Sequence, residues 1–174
     1  MHRFTELIDR CTAFTLENLR ETNERTAEAL QTSGATPLIK TIQMIHLQKV
    51  ILAVGMFSIF EANLQDGLGC ANGFVGANKI LDDEGELEIK ERFNDLISAI
   101  NVLKHGRGKS YATLVKKAKM LPFRIKLPDE SFFFEGDVSE ISTLIEVDDA
   151  FVQNCGEVIS GVSEVIRRVC PLFG

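Results

Sequence analysis

Apolar residues recur three and four positions apart in four long stretches of the chain, which is the spacing of one face of an α-helix. The four stretches predict helices over residues 3–30, 36–66, 84–105 and 149–170. Between Val50 and Phe60 the second predicted helix is apolar on nearly all sides, a pattern typical of the buried centre of a bundle. The pattern therefore predicts an all-α fold in the form of an up-and-down four-helix bundle.

Two segments between these helices have a different pattern. The segment 67–85 contains five glycines, which predicts a long connection. In the segment 121–147, apolar residues alternate with basic ones around Ile125, which predicts a short β-hairpin inserted between the third and fourth long helices. A short basic helix is predicted from Tyr111 to about Met120. At 174 residues the chain is expected to form a single domain.

Several candidate helix caps are present in the sequence. Asp83 is followed three residues later by Glu86, a capping-box pattern before the third helix. Ser110 is placed to cap the short basic helix, and either Asp148 or Asp149 is placed to cap the last helix. Gly106 is expected to stop the third helix.

The charge of the chain is unevenly distributed. The net charge is −6, which argues against a protein coated in positive charge for non-specific nucleic-acid binding. From Leu96 to Pro128, however, there is no Asp or Glu, and eight of the 19 basic residues lie there. If the chain binds an anion, it is expected to do so in this segment. The alternative is that these basic side chains form a solvated face and are balanced by neighbouring acidic residues.

The sequence carries no pattern for a metal or another cofactor, and none is expected. The four cysteines form no Cys-x-x-Cys pair and have no metal-ligand spacing with the three histidines, so they are expected to be reduced and mostly buried. The N-terminus has no apolar signal core, and the apolar run from Val50 to Phe60 is shorter than a membrane span. These patterns predict a soluble, cytoplasmic protein that does not bind a membrane.

The candidate site is the segment from Asn101 to Lys109. His105 lies at a helix end and carries an imidazole, the side chain most often used as a general base or acid, while Arg107 is suited to stabilise developing negative charge. Other cations would hold phosphates along the same surface, namely Lys104, Lys109, Lys116, Lys117 and Lys119. The alternative is structural: Lys104 and His105 complete the C-terminus of the helix, and Gly106 supplies a residue with positive φ.

Two motifs resemble the HEPN superfamily of helical-bundle proteins. One is Phe60-Glu61-x-x-Leu64 late in the second helix, and the other is Asn101-x-x-x-His105-Gly106 at the end of the third. The resemblance implies a homodimer whose two motifs face one cleft, and members that cut RNA without a metal in toxin–antitoxin, phage-defence and RNA-processing systems.

The sequence departs from the active members of that superfamily at one position. Those members carry an arginine separated from the histidine by four to six intervening residues, and the corresponding positions of this chain are Ser98, Ala99 and Ile100. Arg92 lies 13 residues before His105, roughly 20 Å away along a helix, and is too far to replace it. Arg107 is the candidate replacement.

Three functions follow as alternatives. The favoured one is a degenerate HEPN-like protein that binds RNA, a nucleotide or another anion through the segment from Asn101 to Lys109. The second is a metal-independent endoribonuclease that uses His105 with Asn101 and Arg107. The third is a structural or immunity-type module that binds an antitoxin or another protein, with the apolar helix faces and residues 132–134 at the interface.

Overall fold

The computed structural model describes residues 4–171 and 173, and over these residues the secondary structure consists of α-helices. The predicted start of the first helix at Arg3 lies outside the described residues. The prediction of an all-α fold is confirmed. The helices are α1 (Phe4–Leu30), α2 (Thr36–Leu68), α3 (Gly73–Asp83), α4 (Leu87–His105), α5 (Lys109–Lys116) and α6 (Asp149–Val169).

The centre of the fold is α6, which packs against α1, α2, α3 and α4. Ten of its 21 residues are buried, and they include Val152, Ile159 and Val162, each with no exposed surface. Burying one such aliphatic side chain stabilises a fold by about 1.5–3 kcal/mol. α2 also packs against four helices, namely α1, α3, α4 and α6, but it is not buried on all sides as predicted, because Ile51 and Ile59 are exposed.

A cluster of phenylalanine rings joins the first four helices. Phe93 of α4 lies at its middle, with ring centroids 6.3 Å from Phe57, 6.1 Å from Phe60 and 5.5 Å from Phe74. Phe4 stacks on Phe60 at 6.2 Å. Such contacts add to the burial of the rings, so the cluster fixes how α1, α2, α3 and α4 sit against one another.

The segment predicted to be a long connection contains a helix, α3. Asn72 caps it, with the side chain accepting a hydrogen bond from the Val75 N–H at 3.0 Å. A Cβ at Gly73 would lie 2.6 Å from the Glu61 carbonyl oxygen and 2.6 Å from the Leu64 Cβ. The glycine is therefore needed for close packing of α3 on α2, a role that composition alone does not distinguish from a turn.

The predicted four-helix bundle is not supported, because the described chain contains six helices. α3 packs on α2, α4 and α6, and α5 packs on α4. The apolar residues of α3 lie in a segment with several glycines, which predicts a loop. The four long helices that the pattern predicts are therefore only part of the fold.

The predicted β-hairpin is not supported either, since residues 117–148 contain no strand. One isolated antiparallel bridge joins Ile125 to Ile145, twenty residues apart. The N–H groups of Phe133 and Phe134 donate hydrogen bonds to the Glu140 carboxylate instead of to a neighbouring strand. The apolar alternation around Ile125 thus reflects burial beside a turn-rich segment.

The helix ends follow some of the sequence signals. Asp148 caps α6 by accepting from the Phe151 N–H at 2.7 Å, and Gly106 ends α4 with φ 71°, both as predicted. The predicted caps Asp83 and Ser110 are wrong: Asp83 is the last residue of α3, and Ser110 lies inside α5, which follows Gly108.

α2 is apolar but not enclosed. Met44, Leu47, Ile51 and Ile59 are each about half exposed or more, at 57%, 49%, 61% and 55%. Among the described residues, α2 alone is both long enough and apolar enough to cross a membrane. The core helices of soluble proteins also pass this test of length and composition. The run from Val50 to Phe60 is too short to cross a membrane, but it is only part of α2, which continues to Leu68.

Candidate anion-binding site

The C-terminal end of α4 carries the predicted pair Asn101 and His105. The two residues are four positions apart and share one face of the helix. His105 is exposed and Asn101 is half-buried. The chain turns at Gly106, whose N–H bonds to the Val102 carbonyl at 2.8 Å, and α5 begins three residues later. The functional groups of both side chains accept and donate no hydrogen bond within the part of the chain that is described.

α5 is held against the rest of the protein by Tyr111. Its ring is buried, and its hydroxyl donates a hydrogen bond of 2.8 Å to the Lys126 carbonyl. The Arg107 guanidinium lies over the same ring, 5.3 Å from the centroid. Because Tyr111 is fixed at both ends, it holds the guanidinium on the surface between α4 and α5.

Five cations of the segment from Leu96 to Pro128 have no carboxylate within ion-pair distance among the described residues, and all five are exposed. Lys109 and Lys116 begin and end α5, seven positions apart, so they lie on one face about 10 Å from each other. We call this set the basic surface: Lys104, Arg107, Lys109, Lys116 and Lys119.

The other cations of the same segment are neutralised by carboxylates. Lys117 pairs with Asp95 and lies 3.5 Å from Glu91, both on α4. Burial acts to lower the pKa of Lys117, but its hydrogen bonds to these carboxylates raise the pKa above its ordinary value. That Lys117 belongs to the anion-binding set therefore stays a prediction, and its charge is balanced within the chain.

Lys126 and Arg124 are also committed within the fold. Lys126 is buried, pairs with Glu140, and has its ammonium 4.5 Å from the centroid of the Phe133 ring. Arg124 lies 3.5 Å from Glu130 and over two phenylalanine rings. Burial acts to raise the pKa of Glu140, while hydrogen bonds from Lys126 and from two backbone N–H groups hold that pKa below its ordinary value.

The predicted catalytic trio is not joined by contacts. Within the described residues no hydrogen bond links His105 to Asn101 or Arg107, and the Arg107 guanidinium is placed over Tyr111. Arg92 is bound elsewhere, with its guanidinium 2.7 Å from the Asn154 amide oxygen and 3.3 Å from Glu157, both on α6. The arrangement provides an uncommitted imidazole without a positioned charge-stabilising donor.

A second concave site, not predicted from the sequence, surrounds His46. It is a cavity of about 180 Å³ between α2 and the turn-rich segment 133–148. Burial and Asp148 hold the pKa of Glu146, one of its lining residues, above the ordinary value, while Arg124 and His46 act in the opposite direction. No sequence motif indicates this cavity, because its two walls are about ninety residues apart in the chain.

The acidic and sulfur-containing residues do not form a metal site in the described part of the chain. The four cysteines are free, but the prediction that most are buried is wrong: Cys155 is buried, Cys70 and Cys170 are half-buried, and Cys11 is exposed. Burial raises the pKa of the Cys155 thiol, which leaves it unreactive.

Comparison of the chain with protein-family models, with curated proteins and with solved structures finds no match.

Proposed function

We propose that the protein binds RNA through the basic surface, in the manner of a non-catalytic HEPN-like protein. The observation that carries the proposal is the division of the basic segment into two groups. Lys117, Lys126 and Arg124 are balanced by carboxylates, whereas the five cations of the basic surface have no such partner in the described structure. A cluster of unbalanced, exposed cations on an otherwise acidic chain attracts phosphates.

RNA is favoured because the basic surface also carries groups that read more than charge. Arg107 is held over an aromatic ring, and the side chains of Asn101 and His105 have no hydrogen-bond partner among the described residues. Such groups hydrogen-bond bases and the ribose 2′-hydroxyl.

Binding is favoured over cleavage by the position of the arginines. A ribonuclease of the HEPN type needs a guanidinium beside its histidine, but Arg92 is bound to α6 and Arg107 lies over Tyr111. Losing one such preorganised donor costs about 10²–10³ in rate. The endoribonuclease using His105, Asn101 and Arg107 therefore remains the second candidate, supported by the free imidazole of His105.

The proposal is tested by the salt dependence of RNA binding. We expect a fluorescein-labelled single-stranded oligoribonucleotide to bind with a slope of log K against log salt of about −3.5, because five cations would neutralise five phosphates. The measurement is fluorescence anisotropy between about 50 and 200 mM salt. A slope shallower than about −1 would contradict RNA binding through the basic surface.

Neighbouring lysines provide a matched control. Lys116→Ala removes an unpaired cation and is expected to make the slope shallower by about 0.7. Lys117→Ala, one residue further along, removes a cation that is already paired and is expected to leave the slope unchanged. Equal effects of the two substitutions would contradict the assignment of the basic surface.

Incubation of the same RNA with the wild-type protein separates binding from cleavage. We expect intact RNA after incubation without metal ions. Cleavage that is lost in both His105→Ala and Arg107→Ala would overturn the non-catalytic proposal in favour of the endoribonuclease.

A further inference from the structure

One face of α2 is uncovered along most of the helix. Residues 40, 44, 47, 51, 55, 58, 62 and 66 follow each other at three- and four-residue spacing and lie on the side away from the core. The face includes the exposed apolar side chains Met44, Leu47 and Ile51, with Ile59 at its edge. It is about 39 Å long. A contiguous exposed apolar surface of this kind marks an interaction site.

Gly55 lies at the middle of this face, and no close contact within its own chain requires a glycine there. Glycine inside a helix costs about 1 kcal/mol relative to alanine. At Gly73, a Cβ would collide with α2, but a Cβ at Gly55 would meet nothing within 4 Å. A glycine that the fold does not require, placed amid large apolar side chains, provides room for a side chain from outside.

The face is complementary to itself when a second copy is laid on it antiparallel, with the twofold axis passing between Ile51 and Gly55, at the level of residue 53 along the helix. In that register large residues meet small ones or each other: Ile51 meets Gly55 of the second copy, Leu47 meets Ile59, and Met44 meets Ala62.

The same register also matches the charges at the two ends of the face. Lys40 of one copy comes opposite Asp66 of the other, and the symmetry repeats this pair. Both residues are exposed, and neither has a charged partner within the described residues of its own chain. A parallel arrangement would instead place Lys40 opposite Lys40 and Asp66 opposite Asp66.

α1 widens the apolar surface. Phe4 stacks on Phe60 and the Thr12 hydroxyl contacts the Met56 sulfur, so the two helices run antiparallel. This register brings the exposed Leu7 and Phe14 of α1 roughly level with residues 59 and 52. Asp9 on the other side of α1 contacts Ser160 of α6, which places Leu7 and Phe14 on the side away from α6.

We propose that the protein forms a twofold symmetric dimer through this face, with the two α2 helices packed antiparallel about residue 53. Helix packing at a shallow crossing angle of about 20° with axes 8–10 Å apart keeps the ends of the face close enough for Lys40 to reach Asp66. This interface differs from the one that the HEPN resemblance implies, because the segment from Asn101 to Lys109 contributes no residue to it. The dimer is therefore independent of RNA binding.

The test measures the dimer by sedimentation equilibrium of the whole chain. We expect wild-type protein to dimerise at micromolar concentrations and Ile51→Glu to weaken the dimer by at least about 100-fold, because it would bury two carboxylates in an apolar contact. Val75→Glu is the matched control, as Val75 is 66% exposed on α3 and lies off the face. It is expected to leave dimerisation unchanged, and circular dichroism checks that both variants fold.

The register is tested by reversing charges. Lys40→Asp and Asp66→Lys each place like charges opposite one another twice, and we expect each to weaken the dimer by about tenfold. Their combination restores both pairs and is expected to return the dissociation constant to near the wild-type value. Failure of the combined variant to recover would contradict this register.

Two other results would overturn the dimer. One is a wild-type chain that remains monomeric at about 100 µM. The other is a monomer that floats with phosphatidylcholine vesicles and loses that property in Ile51→Glu, which would assign the face to a lipid surface. RNA binding by Ile51→Glu, measured as above, shows separately whether the proposed function stands.

Discussion

α2 and α6 are both rich in apolar residues, but α6 buries most of them, whereas α2 leaves many exposed. α6 has 21 residues, ten of them buried, and a polar side that faces solvent. α2 has 33 residues, six of them buried, and apolar residues on its exposed side as well. A helix that is apolar on all sides is therefore not always the centre of a bundle. Its exposed apolar face is also suited to bind another molecule.

The largest expected difference between the helices is in the cost of truncating an isoleucine. Ile159→Ala in α6 is expected to lower the free energy of unfolding by about 2–5 kcal/mol, because Ile159 is fully buried and leaves a cavity. The measurement is urea denaturation followed by circular dichroism.

Ile51→Ala in α2 is the matched control for that measurement. Its side chain is 61% exposed, so we expect a change within about 0.5 kcal/mol when the variant is compared with the wild type under conditions that keep both monomeric. A large loss in the monomer would contradict the assignment of Ile51 to an uncovered face.

A smaller difference is expected between two glycines. Gly73→Ala is expected to destabilise the fold by about 1–3 kcal/mol, because its methyl group would collide with the α2 backbone at Glu61. Gly55→Ala is expected to stabilise the monomer by about 1 kcal/mol, because the helix gains a better helix former and the added methyl meets nothing. Thermal unfolding in an Ile51→Glu background measures both effects without dimerisation.

Opposite signs for the two glycines are the essential result. If Gly55→Ala lowered the melting temperature of the Ile51→Glu protein, the fold of the single chain would require the glycine, and Gly55 would not be evidence for a dimer.

The smallest expected effects concern the first turns of the same two helices. α6 is capped by Asp148, whereas α2 follows Ala35 without a side-chain cap. Asp148→Ala is expected to cost about 1 kcal/mol, and Ala35→Asp is expected to gain about 0.5–1 kcal/mol. Chemical denaturation of the two variants checks both signs, and a loss in Ala35→Asp would show that α2 does not begin at Thr36.

The long helices could be predicted from the sequence because their apolar stripes are regular over five or more turns. α3 could not, since the glycines at 73 and 76 also satisfy the pattern of a loop, and their packing against α2 becomes visible only in three dimensions. The bridge between Ile125 and Ile145 was missed for a related reason: local alternation predicts an extended segment but does not identify its partner.

The candidate site could be located from the sequence but not resolved into its parts. The gap in acidic residues from Leu96 to Pro128 marks the basic segment, yet it does not show which lysines are balanced. Asp95 lies one residue outside that gap and pairs with Lys117 across two helices. Ion pairs between separate elements depend on the fold, so counting charges along the chain overestimates the free cations.

Tyr111 gives the basic surface an optical property of its own. The chain contains one tyrosine and no tryptophan, so the near-ultraviolet emission of the protein comes from this ring. The ring lies under the Arg107 guanidinium, and its hydroxyl bonds to the carbonyl of the buried Lys126. A ligand that draws Arg107 away, or a disturbance of residues 124–146, therefore reaches the emitting group directly, and the unlabelled protein reports on both.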